Sequence, residues 1–123
     1  MIRYIKLEVF IESAESVGFI VKDAGLLDSA LTRPMTTVFG SDAYPSFELK
    51  AAAMMHSLVK NHPFIDGNKR SSWLALNIFC SLNHRNIVAT QDEAFDFILA
   101  VATDQHDLEA MASWLASHVK PMF

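Results

Sequence analysis

Cysteine is almost missing from this chain: Cys80 is the single one in 123 residues. An internal disulfide is therefore excluded, and neither a Cys-x-x-Cys nor a His-x-x-x-His spacing occurs, so a zinc site of the usual ligand spacing is not indicated. Glycine and proline are also scarce, at four each, and no repeat, linker or low-complexity segment stands out. No apolar run reaches the length of a signal peptide or a membrane span, and MIRYIKLEVFIESAES at the N-terminus carries a charge every few positions. That pattern places the chain in the cytoplasm, away from membranes. A basic excess is missing too: 10 Lys and Arg stand against 14 Asp and Glu, a net charge of −4 with histidines neutral. Direct DNA binding is accordingly disfavoured. What remains is an ordinary globular balance, 51% apolar and 20% charged, at a length that one hydrophobic core can serve. Residues 1–123 are read as a single domain.

The apolar residues recur mostly at helical spacing. Leu7, Phe10, Ile11, Ala14 and Val17 form one face of a first helix that Gly18 can stop. Residues 24–31 repeat the pattern briefly until Pro34 forbids continuation. In residues 35–45, MTTVFGSDAYP, the period is lost and a Gly-Ser-Asp turn signal enters, which predicts an exposed flap or hairpin. Ser46 can cap a third helix ending near His62, with Leu49, Ala52, Ala53, His56, Leu58 and Val59 on a broad apolar face. In the fourth, Trp73, Leu74, Leu76, Ile78, Phe79 and Leu82 surround the axis, as expected of the buried centre. Thr90 with Glu93 has capping-box spacing ahead of a fifth helix, and Asp107 can cap a sixth. The expected fold class is all-α, a compact bundle of about six helices with a short β-hairpin-like flap.

Chemistry concentrates in residues 62–70, HPFIDGNKR, a short turn between the third and fourth helices. Lys69 and Arg70 fall in a first helical turn, where the positive end of the macrodipole disfavours a cation by roughly 0.3 to 1 kcal/mol each. A bound anion would compensate: backbone N–H groups around Gly67, Asn68 and Lys69 are free at a helix start, and Gly67 lets backbone approach a phosphate closely. Asp66 is the single acid beside the cluster and suits Mg²⁺, which binds one or two carboxylates together with phosphate oxygens. His62 offers a proton acceptor near neutral pH, a candidate general base. Phe64 is assigned an inward, structural role. The turn is not a P-loop, because no glycine stands upstream of Gly67 at the required spacing and no strand precedes it.

HPFIDGNKR resembles the signature H-x-F-x-[DE]-[GA]-N-[GK]-R of the Fic/Doc (Fido) family, with seven specified positions matched in order, and Lys69 resembles the Doc branch. KDAGLLDSALTRP, the flap and ELKAAAMMHSLVKNHPF look Doc-like as well, so the resemblance spans most of residues 1–85. It implies a Fido fold, with His62 taking a proton from a target Ser, Thr or Tyr hydroxyl and Asp66 holding Mg²⁺. Gly67, Asn68, Lys69 and Arg70 would grip the phosphates of ATP, and the flap, with Thr36, Thr37, Val38 and Phe39, would dock the target chain by strand addition. The adenylylating branch has Gly where Lys69 stands and a second Arg where Trp73 stands. Lysine-form relatives are thought to transfer the γ-phosphate instead, as kinases acting on elongation factor Tu. The expected function is thus that of a Doc-like toxin halting translation, with protein adenylylation and an inactive Fido-fold binding module as alternatives. The family's internal brake, [ST]-x-x-x-E-[GN], does not occur, so inhibition is expected from an antitoxin protein that lays a helical segment on the toxin.

Plainer readings compete at each position. His62 can merely end a helix, Asp66 can be only an N-cap, and Lys69 and Arg70 can be solvated charges. His56, His84, His106 and His118 have no partner at ligand spacing, Met54, Met55 and Trp114 suit the core, and Cys80 on a buried helix suits an inert hydrophobe.

Overall fold

A computed structural model describes residues 1–122. Helices α1 (Leu7–Ser16) and α2 (Ala24–Thr32) are followed by a 3₁₀ turn (Arg33–Met35) and a hairpin of β1 (Thr37–Val38) and β2 (Ser41–Asp42). Then come α3 (Phe47–Asn61), α4 (Asn68–Leu82), β3 (Arg85–Ile87), α5 (Gln91–Ala102), α6 (Leu108–His118) and β4 (Val119–Pro121). The result is an all-α bundle of six helices with two small antiparallel sheets, β1 with β2 and β3 with β4.

The caps read from the sequence are in place. Ser46 accepts the Leu49 N–H at 3.1 Å and Asp107 that of Ala110 at 2.8 Å, while Thr90 and Glu93 form a complete capping box. Each satisfies a donor that a helix start leaves open. Asp23 adds a cap for α2 through Leu26. Pro34 ends α2 as expected, though the chain tightens into the 3₁₀ turn before it leaves the bundle.

The centre of the bundle is α3, not α4. Ala51, Ala52, Ala53, Met54 and Met55 are all buried, as are Leu58 and Val59, with α2, α4, α5 and α6 packed around them. Three consecutive alanines let neighbours approach on every side, a role that their weak hydrophobicity hides in the sequence. In α4 only Ala75, Leu76, Phe79 and Cys80 of the apolar residues are buried; Trp73, Leu74 and Ile78 lie in an outer layer and Leu82 is exposed. Val17, expected on the inner face of α1, stands beyond its last turn and is exposed.

The far end of α4 is tied to both termini. Asn83 accepts the Arg3 N–H at 2.7 Å and donates to the carbonyls of Arg3 and Phe79. There β3 pairs with β4, bringing the chain after α6 back against the end of α4.

Candidate active site

Helix α3 ends at Asn61 and hands the chain to His62 in a left-handed conformation, φ 52° and ψ 59°. A non-glycine residue there is strained by roughly 1–2 kcal/mol, and such strain clusters at functional sites. His62 is exposed. Pro63 then turns the chain inward, and its carbonyl accepts the N–H groups of Lys22 and Asp23 at 2.9 and 3.0 Å. Phe64 is fully buried, edge-on to Phe10 and Phe19. Removing a ring so buried costs about 3–5 kcal/mol, so Phe64 is the nail that fixes the loop between two exposed polar residues, His62 and Asp66.

Asn68 closes the loop on itself. Its side-chain oxygen accepts the Phe64 N–H at 2.9 Å and its amide donates back to the Phe64 carbonyl at 3.1 Å. The Asn68 side chain is therefore tied into the loop's shape, with one amide hydrogen and its backbone N–H left over. Gly67 is held for two reasons: its φ is +77°, and a Cβ there would lie 2.6 Å from the Phe19 ring. No other residue fits without displacing Phe19.

Asp66 does not cap α4. Its Oδ1 accepts the adjacent Gly67 N–H at 2.8 Å, while Gly67 itself is the N-cap and offers no side-chain bond. The N–H groups of Asn68, Lys69 and Arg70 consequently have no acceptor within the chain. The first turn of α4 contains no acid and holds the two cations instead. The three ion pairs among the described residues involve Lys50, Lys60 and His118, so neither Lys69 nor Arg70 is neutralised by a carboxylate. The Arg70 guanidinium rests 5.3 Å from the centre of the Phe19 ring, which steadies the cation without cancelling its charge.

These groups share one open cavity of about 470 Å³, lined by His62, Ile65, Asp66, Gly67, Asn68, Lys69 and Arg70. All six residues singled out in the turn for chemistry line it, together with Ile65. Chemically it offers an imidazole and a carboxylate beside a cationic helix start with bare amides, a setting for a polyphosphate. Asp66 is the single acid on its wall, and no group of three His, Cys, Asp or Glu side chains able to cage a metal occurs among the described residues. A lone carboxylate fits Mg²⁺ delivered with phosphate, whose oxygens supply the other ligands.

The flap is the expected hairpin, with Thr37 opposite Asp42 and Val38 opposite Ser41. Phe39 and Gly40 form its two-residue turn, both with positive φ. Thr36, Thr37, Val38 and Phe39 are all exposed, and none of them lines the cavity.

Two features of the site were not read from the sequence. The strip 19–23 braces the loop: Val21 pairs with Phe64, the Ile20 carbonyl accepts the Ile65 N–H, and Phe19 covers Gly67. Its signal was the run Phe19, Ile20, Val21 after Gly18, apolar and β-branched, too short to read as a strand. The second is an apolar recess of about 150 Å³ that shares Lys69 and Arg70 with the main cavity and adds Phe95, Ile98 and Leu99 of α5.

The remaining candidates behave structurally. Burial, with Arg33 and Lys60 nearby, holds His56 below the ordinary histidine pKa. Burial pushes the Cys80 thiol up to about 11, so it is inert. Trp73 lies edge-on to Trp114, which stacks on Phe97 at 3.9 Å.

Residues 2–80 match the model of the Fic/DOC family, a span that takes in the brace, the flap, the loop and most of α4. The chain is also 46% identical over 98 residues to the protein named Toxin Doc of Mycolicibacterium smegmatis, covering 78% of this chain and 75% of that one.

Proposed function

Because the chain belongs to the Fic/DOC family, we propose that it transfers the γ-phosphate of ATP to a Ser or Thr hydroxyl of a translation protein such as elongation factor Tu, as the toxin of a toxin–antitoxin pair. The observation that carries this reading is the bare start of α4: three free amides and two unneutralised cations face the same cavity as His62. The six-helix bundle with its small hairpin and second strand pair agrees with the Fido fold.

In this mechanism the amides of Asn68, Lys69 and Arg70 and the two cationic side chains bind the phosphates and carry the charge that moves during transfer. Phe64, Asn68 and the 19–23 brace keep them in position before substrate arrives. His62 accepts the hydroxyl proton as the target oxygen bonds to the γ-phosphorus; the bond from that phosphorus to the β–γ bridging oxygen breaks, ADP leaves, and the imidazole returns its proton to solvent. Asp66, with one oxygen engaged by Gly67, has the other for Mg²⁺, which when bound neutralises phosphate charge.

Two residues support phosphate over AMP transfer. Lys69 adds a cation where the adenylylating branch has none, and Trp73, packed against Trp114, cannot serve as that branch's second arginine. The flap supplies the target surface and an antitoxin's helical segment the inhibition.

ATP labelled at either the α- or the γ-phosphate tests the proposal, incubated with the protein, Mg²⁺ and purified elongation factor Tu or a translation extract. Transfer of γ-label alone is expected. Transfer of α-label instead would make the chain an adenylyltransferase, and transfer of neither would make it a binding module.

A further inference from the structure

The hairpin of β1 and β2 has too little of its own to stay formed. It contains two residue pairs, and every residue of both strands is exposed; a two-stranded hairpin in water is marginal. Its turn adds strain, because Phe39 is left-handed at φ 51° and completely exposed.

What holds it enters from α3. Lys50 is the one charged residue that is buried among the described residues, with its side chain 4% exposed. Its ammonium donates to the Tyr44 carbonyl at 2.7 Å, to Asp42 Oδ2 at 3.2 Å and, at the longer 3.5 Å, to the Pro34 carbonyl. Those acceptors lie on both sides of the hairpin, before β1 and in and after β2. An ammonium has three donors, and here each goes to the root of the flap. Burying a charge is unfavourable unless such partners are supplied, and packing alone at this position would be met by Met or Leu. A second tether joins lower down: Arg33 donates to the Tyr44 hydroxyl at 3.0 Å and, on α3, to the Ala53 carbonyl and Ser57. Only Lys50 reaches into the strand pair itself, through Asp42.

We infer that Lys50 is a positioning residue for the target: it keeps the hairpin preformed, so that an incoming chain meets an ordered strand edge. This rests on the reading above that the flap docks the target. An edge ordered in advance spares the target the entropy of ordering it, so the loss of Lys50 acts on target recognition and not on the phosphate cavity at the far end of α3.

The test is Lys50→Met in the full chain, read two ways. Hydrogen exchange needs no substrate: the Ala43 N–H, bonded to the Thr36 carbonyl at 2.9 Å, is expected to exchange about tenfold faster, with amides in the middle of α4 unchanged. In the transfer assay KM for the protein target is expected to rise about tenfold, with kcat and the KM for ATP within about twofold of wild type. Unchanged Ala43 exchange, or a fall in kcat without a change in target KM, would overturn the inference. Should Lys50→Met fail to fold, Asp42→Asn decides, since it loosens the same pair from its exposed side; it is expected to move both readouts the same way by a smaller factor, and no movement would count against the anchor. A wild-type chain that transfers nothing counts against the proposed function alone, because exchange still reports on Lys50.

Discussion

Helices α4 and α5 begin in opposite ways within one small protein. The start of α5 is closed: Thr90 accepts the Glu93 N–H at 3.1 Å, Glu93 accepts the Thr90 N–H at 2.8 Å, and Asp92 joins Glu93 in the first turn. The start of α4 is open, with glycine as its N-cap, no acid and two cations. Acidic first turns at α1, α3 and α6 follow the α5 pattern. A cap and an acid each stabilise a helix by about 1 kcal/mol or less, so α4 forgoes what its neighbours use. The difference teaches where local stability is forgone, as the proposed phosphate site would require: the open end is also the one flanked by a left-handed histidine and braced by a separate strip of chain.

Substitutions can break or sharpen that contrast. The largest effect is expected from His62→Ala, which removes the proposed base from the open end: γ-phosphate transfer should fall by about 10²- to 10⁴-fold, with the circular dichroism spectrum unchanged because the residue is exposed. Retained transfer would remove His62 from the chemistry. Next is Lys69→Glu, which makes the open end resemble the closed one. Activity should fall at least about tenfold while the protein gains about 1 kcal/mol, a rise of a few degrees in Tm. A loss of both would mean that the cation is structural.

The converse change is Thr90→Ala at the closed end, expected to lose about 1 kcal/mol of stability in chemical denaturation and to leave transfer unaltered. The smallest effect concerns pH. The backbone hydrogen bond from Thr90, followed by the bond with the His118 side chain, holds the Glu93 carboxyl below its usual range. The unfolded chain therefore takes up this proton first, and Glu93's contribution is complete above the ordinary glutamate pKa and lost as pH falls through the folded value. The Tm gap between wild type and Glu93→Gln should accordingly narrow from about pH 5 downward; a gap that widened on acidification would reverse the sign of this linkage.

Much of this contrast was legible in the sequence, because both helix starts are local. Capping depends on residues three apart, so Ser46, Thr90 with Glu93, and Asp107 could be read directly, as could a turn whose Lys69 and Arg70 sit where acids usually stand. The flap was legible from its loss of period and its turn residues. What was not legible depends on contacts distant in sequence. The brace joins residues 19–23 to 63–65, and nothing near Gly67 announces that Phe19 lies against it. Lys50 reads as an ordinary charge on a helix until the hairpin folds over it. The central place of α3 was hidden by its alanines, whereas the large side chains of α4 drew attention to a helix that presents Trp73 and Ile78 to an outer layer. The β3–β4 pair, three residues on each strand with polar Arg85, Asn86 and Lys120, carries too little pattern to find alone.

The central claim, that the open start of α4 receives a polyphosphate, is tested most directly by following backbone amide resonances while Mg²⁺ and a non-hydrolysable ATP analogue are added. The account predicts that Asn68, Lys69 and Arg70 shift most and together, with the His62 imidazole moving alongside and the amides of Asp92 and Glu93 at the closed end still. Shifts absent from residues 68–70, or no larger there than at the start of α5, would contradict it.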